Sequence, residues 1–137
     1  MAAPPKTLAK TVHPVSQDQL LRYAEASGDH NPLHLDPSFA AGTPYGRPIA
    51  HGMLLLAFIS EMMTVQFGLL WLSSGKLRVR FRAPVFLGDT VTARGTLHSV
   101  AQATQEAVYD VSCRNQSGQD VITGQAAVQW RSQETTS

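Results

Sequence analysis

Cysteine and charge are the two scarcities of this chain. One cysteine, Cys113, stands among 137 residues, so no internal disulfide and no cysteine-built metal cluster can form, which fits a reducing compartment such as the cytoplasm. Charged residues make up 15%, where about 25% is usual for a globular domain. A small domain so poor in charge is expected to hide part of its surface against another subunit, most simply in a homodimer. Eleven Lys and Arg against ten Asp and Glu leave a formal charge of +1, too weak a field to argue for nucleic acid. The chain has no Gly-x-Ser-x-Gly elbow, no phosphate-cradling glycine loop and no His-Glu-x-x-His, which removes the plainest serine-hydrolase, nucleotide-phosphate and metalloprotease signatures.

The opening Met-Ala-Ala-Pro-Pro-Lys lacks the charged-then-apolar layout of a secretory signal. Residues 53–72 are apolar enough to need a membrane check, but Ser60, Glu61, Thr64, Gln66 and Gly68 interrupt them. Glu61 would sit near mid-bilayer at a cost of about 2–3 kcal/mol or more, so a buried helix is expected and no membrane insertion.

What is present reads as one domain over 1–137, with residues 1–6 and 131–137 as loose ends. Ser16 followed by Gln19 forms a capping box, with Val15 and Leu20 placed as a hydrophobic staple. The helix so begun ends at Gly28, suited to the left-handed position. Residues 29–50 then carry Pro32, Pro37, Pro44 and Pro48, which forbid a long helix. A loop of that length in a compact domain is usually functional, and 36–41 has room for a helical turn.

From about Ala50 to Phe67 the chain is apolar on nearly every face, the mark of a core helix. Strict alternation follows over 76–82, 90–100, 107–113 and 122–130, with turns at Leu87-Gly88-Asp89 and Ser117-Gly118. The expectation is α+β: a single hot-dog domain, its curved antiparallel sheet wrapped around a central buried helix.

Reactive side chains concentrate in the proline-rich loop. The segment reads Ser27-Gly28-Asp29-His30-Asn31-Pro32-Leu33-His34-Leu35-Asp36, and His51 and Gly52 close it. Asn31-Pro32 is a turn dipeptide able to fold Asp29 and His34 toward one point. Taken alone, Asp29 reads as a turn cap and His34 as a structural histidine. A metal at His30, His34 and Asp36 is not expected, because Pro32 prevents the helix that would aim both imidazoles at one ion.

The same residues carry a resemblance. Ser-Gly-Asp-x-Asn-Pro-Leu-His-x-Asp, followed by Arg47-Pro48-Ile49-Ala50-His51-Gly52-Met53-Leu54, resembles the hydratase-2 motif of the MaoC-like family, which includes R-specific enoyl-CoA hydratases and (3R)-hydroxyacyl-ACP dehydratase subunits. Val79 to Thr90 is similar to the family's strand-turn-strand, and the likeness extends over roughly residues 10 to 130.

The resemblance implies reversible syn addition of water to a trans-2-enoyl thioester, giving the (R)-3-hydroxyacyl thioester, with no cofactor and no metal. It implies that Asp29 and His34 hold the attacking water, with Asp29 as base, and as acid in the reverse direction. It implies that Gly52 offers its backbone N–H to the thioester oxygen, with Ser60 nearby. Asn31, Met53, Leu56 and Phe58 are the expected substrate contacts. The chemistry agrees, since negative charge developing on that oxygen calls for a fixed donor, and a helix start supplies one.

His51 reads as structural, orienting the helix start. Phe67 and Trp71 suit either an acyl tunnel or a subunit interface. Lys76, Arg78, Arg80 and Arg82 form a basic strand face, either a solvated edge or an attraction for acyl-CoA phosphates or an acyl carrier protein (ACP). The rival readings are an ACP dehydratase subunit, a hot-dog thioesterase and a non-catalytic acyl-thioester binder. The thioesterase fits least, because the Asp-x-x-x-x-His spacing is the hydratase one.

Overall fold

The computed structural model describes residues 3–131, so most of the expected loose tail at 131–137 lies outside the described residues. The expected loose start is a correction from Pro4 onward. Pro4 is buried, the Tyr109 hydroxyl donates to the Pro5 carbonyl at 2.7 Å, and the Leu97 N–H donates to the Lys6 carbonyl at 2.8 Å.

Five antiparallel strands form one sheet: β1 Thr11–Pro14, β2 Lys76–Phe81, β3 Thr90–Ala101, β4 Glu106–Arg114 and β5 Asp120–Gln129, in the order β1-β3-β4-β5-β2. Alternation puts Val91 and Ala93 of β3, Tyr109 and Val111 of β4, and Ile122 and Ala126 of β5 on one buried face. The expected strands are all present, while β1 is an addition. In β1 the apolar Val12 faces solvent at 61% exposure, and His13 turns inward to stack on Phe58 with ring centroids 4.0 Å apart. Polarity is thus inverted along that edge strand, and the usual alternation signal is missing.

Helix α1 spans Gln17–Ser27. Ser16 Oγ accepts the Gln19 N–H at 3.1 Å, and Gly28 closes the helix at φ 77°. Only this half of the capping box forms; Gln19 Oε1 is buried with no hydrogen-bond partner among the described residues. Two short helices follow, α2 Pro32–Leu35 and α3 Pro37–Ala41, then α4 Gly52–Phe67 and α5 Leu69–Ser74.

The central helix α4 lies against the inner face of the sheet through Leu55, Phe58, Ile59, Met62, Met63 and Phe67, all buried. Each such side chain contributes about 1.5–3 kcal/mol by leaving water. The sheet covers only one side of this helix. Met53, Ala57 and Val65 on the other side are exposed, and so are Leu69 and Leu72 of α5. The architecture is therefore the expected α+β one, with a sheet that curves around the helix without closing.

Close strand pairing at the β2–β5 edge depends on Gly124. A Cβ there would collide with the Arg78 carbonyl oxygen and lie 2.8 Å from the Val79 Cα. Gly124→Ala is therefore expected to lower unfolding free energy by about 1–3 kcal/mol, read by urea denaturation; an unchanged midpoint would show that β2 is not held this tightly.

Candidate active site

The site grows from the way α1 ends. Gly28 turns the chain out of the helix, and Asp29 then begins a chain of side-chain caps. Asp29 Oδ1 accepts the Asn31 N–H at 3.2 Å, and Asn31 Oδ1 accepts the Leu33 N–H at 3.0 Å. Pro32 takes the first position of α2, where its missing N–H costs nothing. Asp36 caps α3 by accepting from Ser38 and Phe39. These local bonds set the backbone so that His34, one turn into α2, returns toward Asp29.

His34 Nδ1 lies 2.7 Å from the Ile49 carbonyl oxygen. A carbonyl only accepts, so Nδ1 carries the hydrogen, and in the neutral ring Nε2 presents its lone pair. That Nε2 is 3.9 Å from Asp29 Oδ2. The gap is too wide for a direct hydrogen bond, and one water can bond to both atoms across it. The His34 side chain is 11% exposed and that of Asp29 51%, so the pair sits at the rim of the fold.

Beneath it lies His51, 1% exposed. Its Nε2–H donates to the Asp29 carbonyl at 3.0 Å, and its ring stacks on His34 with centroids 4.0 Å apart. Burial pushes the His51 pKa down, against the smaller raising influence of the Asp29 carbonyl. The ring is thus kept neutral, with Nδ1 buried and unpartnered among the described residues. The structural role expected of His51 takes concrete form: one ring supports both Asp29 and His34.

Gly52 opens α4. As the first residue of a 16-residue helix it has no intrahelical partner for its N–H, and it carries the positive end of the helix dipole. It lines a cavity of about 340 Å³ with His34, Tyr45, Ile49, Leu55 and Phe81. A Cβ on Gly52 would meet the Phe81 ring at 3.0 Å, so glycine lets the ring close over the helix head.

The structure sets Asp29 beside His34 and puts His34 and Gly52 on one cavity whose lining does not include Asp29, and it leaves several expected contacts elsewhere. Ser60 Oγ accepts the Trp71 indole N–H at 2.8 Å; it lies two turns, about 12 Å, along the helix from Gly52. Met53 is 61% exposed and, like the half-buried Leu56, does not line the cavity. Phe58 is buried against His13, and Asn31 is spent on capping. Phe67 packs on Tyr109 with centroids 5.7 Å apart, so neither it nor Trp71 lines this cavity. Among the lining residues not anticipated as such are Leu55, Tyr45, Phe81 and Arg82. Leu55 had a signal, being three residues beyond Gly52 and on the same helix face.

Asp29, His34 and His51 have ligand-type atoms within 4.8 Å of one another. The two rings are nearly parallel, 28° between planes, so their in-plane lone pairs do not converge on a point about 2.0–2.1 Å from both nitrogens, as a zinc site needs. One nitrogen of each ring is also committed to a carbonyl. The arrangement suits holding and moving a proton.

The MaoC-like domain model matches residues 2–118. An (R)-specific enoyl-CoA hydratase of Aeromonas caviae is 37% identical over 113 residues, 80% of this chain and 82% of that protein. One of the same description from Rhodospirillum rubrum is 33% identical over 125 residues, 89% of this chain and 82% of that protein. Among solved structures, the A. caviae (R)-hydratase involved in PHA biosynthesis superposes with a TM-score of 0.80 at 33% identity, covering 90% of this chain and 93% of that one.

Because burial lowers the His51 pKa, the unfolded chain binds the more protons just below about pH 6.5. The stability tied to its neutral ring is therefore full above that pH and lost as pH falls through the lower folded value. Unfolding free energy is expected to drop on acidification below about pH 6.5, by up to about 1.4 kcal/mol per unit from this group. His51→Gln should flatten that slope in denaturant titrations at several pH values; an identical slope would contradict the assignment.

Proposed function

This chain belongs to the MaoC-like domain family, and we propose that it is a hydro-lyase that reversibly adds water to trans-2-enoyl thioesters to give (R)-3-hydroxyacyl thioesters. The observation that carries the reading is the 3.9 Å gap between Asp29 Oδ2 and His34 Nε2, beside a cavity that His34 shares with the Gly52 helix head.

A water in that gap donates one hydrogen to the carboxylate and the other to His34 Nε2, leaving a lone pair free to attack C3 of the enoyl chain. As the C3–O bond forms, Asp29 takes the water's proton and the double-bond electrons move to the thioester oxygen. That charge develops where the Gly52 N–H donates, at the positive end of α4. The C2 carbanion equivalent then takes the proton back from Asp29 and the thioester carbonyl re-forms. One carboxylate handles both transfers, so hydrogen and hydroxyl arrive on the same face. The reverse sequence dehydrates the hydroxyacyl thioester, and neither direction draws on a cofactor in this scheme.

The relatives named for enoyl-CoA hydration favour CoA as the carrier. A homodimer is supported by the low charge content and by the exposed apolar Met53, Val65, Leu69 and Leu72 on the open side of α4 and α5. Among the described residues no helix is long and apolar enough to cross a membrane, and a lone buried thiol suits the cytoplasm.

The test is loss of enoyl-thioester absorbance with crotonyl-CoA and a longer trans-2-enoyl-CoA, wild type beside Asp29→Asn. Turnover is expected to fall at least about a hundredfold in the folded variant. Undiminished turnover would overturn the mechanism, and none by wild type on either CoA or carrier-protein thioesters would leave a non-catalytic binder.

A further inference from the structure

The outer face of the sheet carries six of the chain's eleven cations: Lys76, Arg78, Arg80, Arg82, Arg94 and Arg114. A protein of net charge +1 has gathered its positive charge in one place. Lys76 pairs with Glu106 at 3.6 Å and Arg114 with Asp120 at 2.8 Å. The third acidic residue of the face, Asp110, is taken by His98 and Gln125. Arg78, Arg80, Arg82 and Arg94 meet no carboxylate among the described residues.

These arginines border a recess. Arg78, Arg80, Arg82, Thr123 and Gln125 line a hollow of about 210 Å³, which shares Thr123 and Gly124 with a neighbouring hollow of about 380 Å³ bounded by Arg94 and Arg114. Thr123 Oγ1 accepts the Arg82 Nε–H at 2.9 Å, fixing that guanidinium while its terminal N–H groups stay unpaired among the described residues. Arg82 is also a wall residue of the cavity that holds His34 and Gly52. Cavity and basic recess therefore meet at the end of β2, with Arg78 about 13 Å further along the strand.

We propose that this recess binds the phosphorylated nucleotide end of a CoA thioester, with Arg78, Arg80 and Arg82 as its phosphate contacts; the proposal rests on the enoyl-thioester reading of the adjoining cavity. A CoA thioester is reactive at one end and carries a pyrophosphate and a 3′-phosphate at the other, joined by a pantetheine arm. A reaction cavity that opens onto a run of unpaired arginines has the same two-ended layout. Guanidinium forks match phosphate oxygens in geometry and charge. Three arginines spaced two residues apart on one strand present several guanidinium forks within a short span, which suits the clustered phosphates of one nucleotide. The Thr123 hydroxyl and Gln125 amide offer neutral polar contacts to the rest of the nucleotide.

The experiment compares crotonyl-CoA with crotonyl-pantetheine, which lacks the nucleotide, in wild type and in the Arg78→Gln/Arg80→Gln double variant. The ratio of kcat/KM on the CoA ester to that on the pantetheine ester is expected to fall at least about tenfold, the scale of losing charge-assisted hydrogen bonds. Calorimetry with adenosine 3′,5′-bisphosphate gives a readout without turnover: wild type should bind it and the double variant should bind at least about tenfold more weakly. Nucleotide binding of that kind by a protein that turns over no thioester would uphold the recess and sink the hydratase reading. An unchanged ratio with equal nucleotide binding in both proteins would overturn the recess alone. A defect confined to carrier-protein-bound substrate would also overturn it, making the face a protein docking surface.

Discussion

Two imidazole rings tied to backbone carbonyls hold this site together. His34 is oriented by the Ile49 carbonyl and His51 by the Asp29 carbonyl, and the rings stack so that neither can rotate without displacing the other. The consequence is chemical as well as mechanical. A ring nitrogen committed to a carbonyl must carry the hydrogen, which makes His34 Nε2 an acceptor facing Asp29. A tautomer is thus selected by backbone geometry, and the reacting water inherits its orientation.

The rest of the fold keeps those carbonyls where they are. Ile49 is bonded through its own N–H to Leu33 and bridges to Phe86, and the Ala50 N–H donates to Val85 at 2.7 Å. The segment entering α4 is therefore stitched both to α2 and to the turn before β3. Helix α4 then serves two purposes at once: its buried face builds the core, and its first residue, whose N–H has no intrahelical partner, lines the cavity. Gly52 belongs to both, because the Phe81 ring occupies the space a side chain would need.

Much of this was legible in the residues. The helix signals at Ser16 and Gly28 rest on local chemistry, and so does the alternation of the four long strands, so each could be read without knowing what packs where. The pairing of Asp29 with His34 was legible too, through the Asn31-Pro32 turn and the family motif. What escaped depends on distant partners. β1 hid because His13 faces in, stacked on Phe58, while Val12 faces out. Phe81 became a cavity wall only through the register that sets it opposite Ile122 and over Gly52. Ser60 was expected near the reacting pair, but its hydroxyl serves the Trp71 indole, eleven residues away in a helix that pattern alone did not separate from α4. Met53, Leu56 and Phe58 lie off the cavity because the helix phase from Gly52 brings Leu55 to it.

The central claim is that one carboxylate takes a proton from water and returns it to the same face of the substrate. Hydration of crotonyl-CoA in heavy water, with the product's configuration read by NMR, tests it most directly. The account predicts (R)-3-hydroxybutyryl-CoA with one deuterium at C2, as the single diastereomer of syn addition. An S product, or a mixture of the two C2 diastereomers at early times, would contradict it.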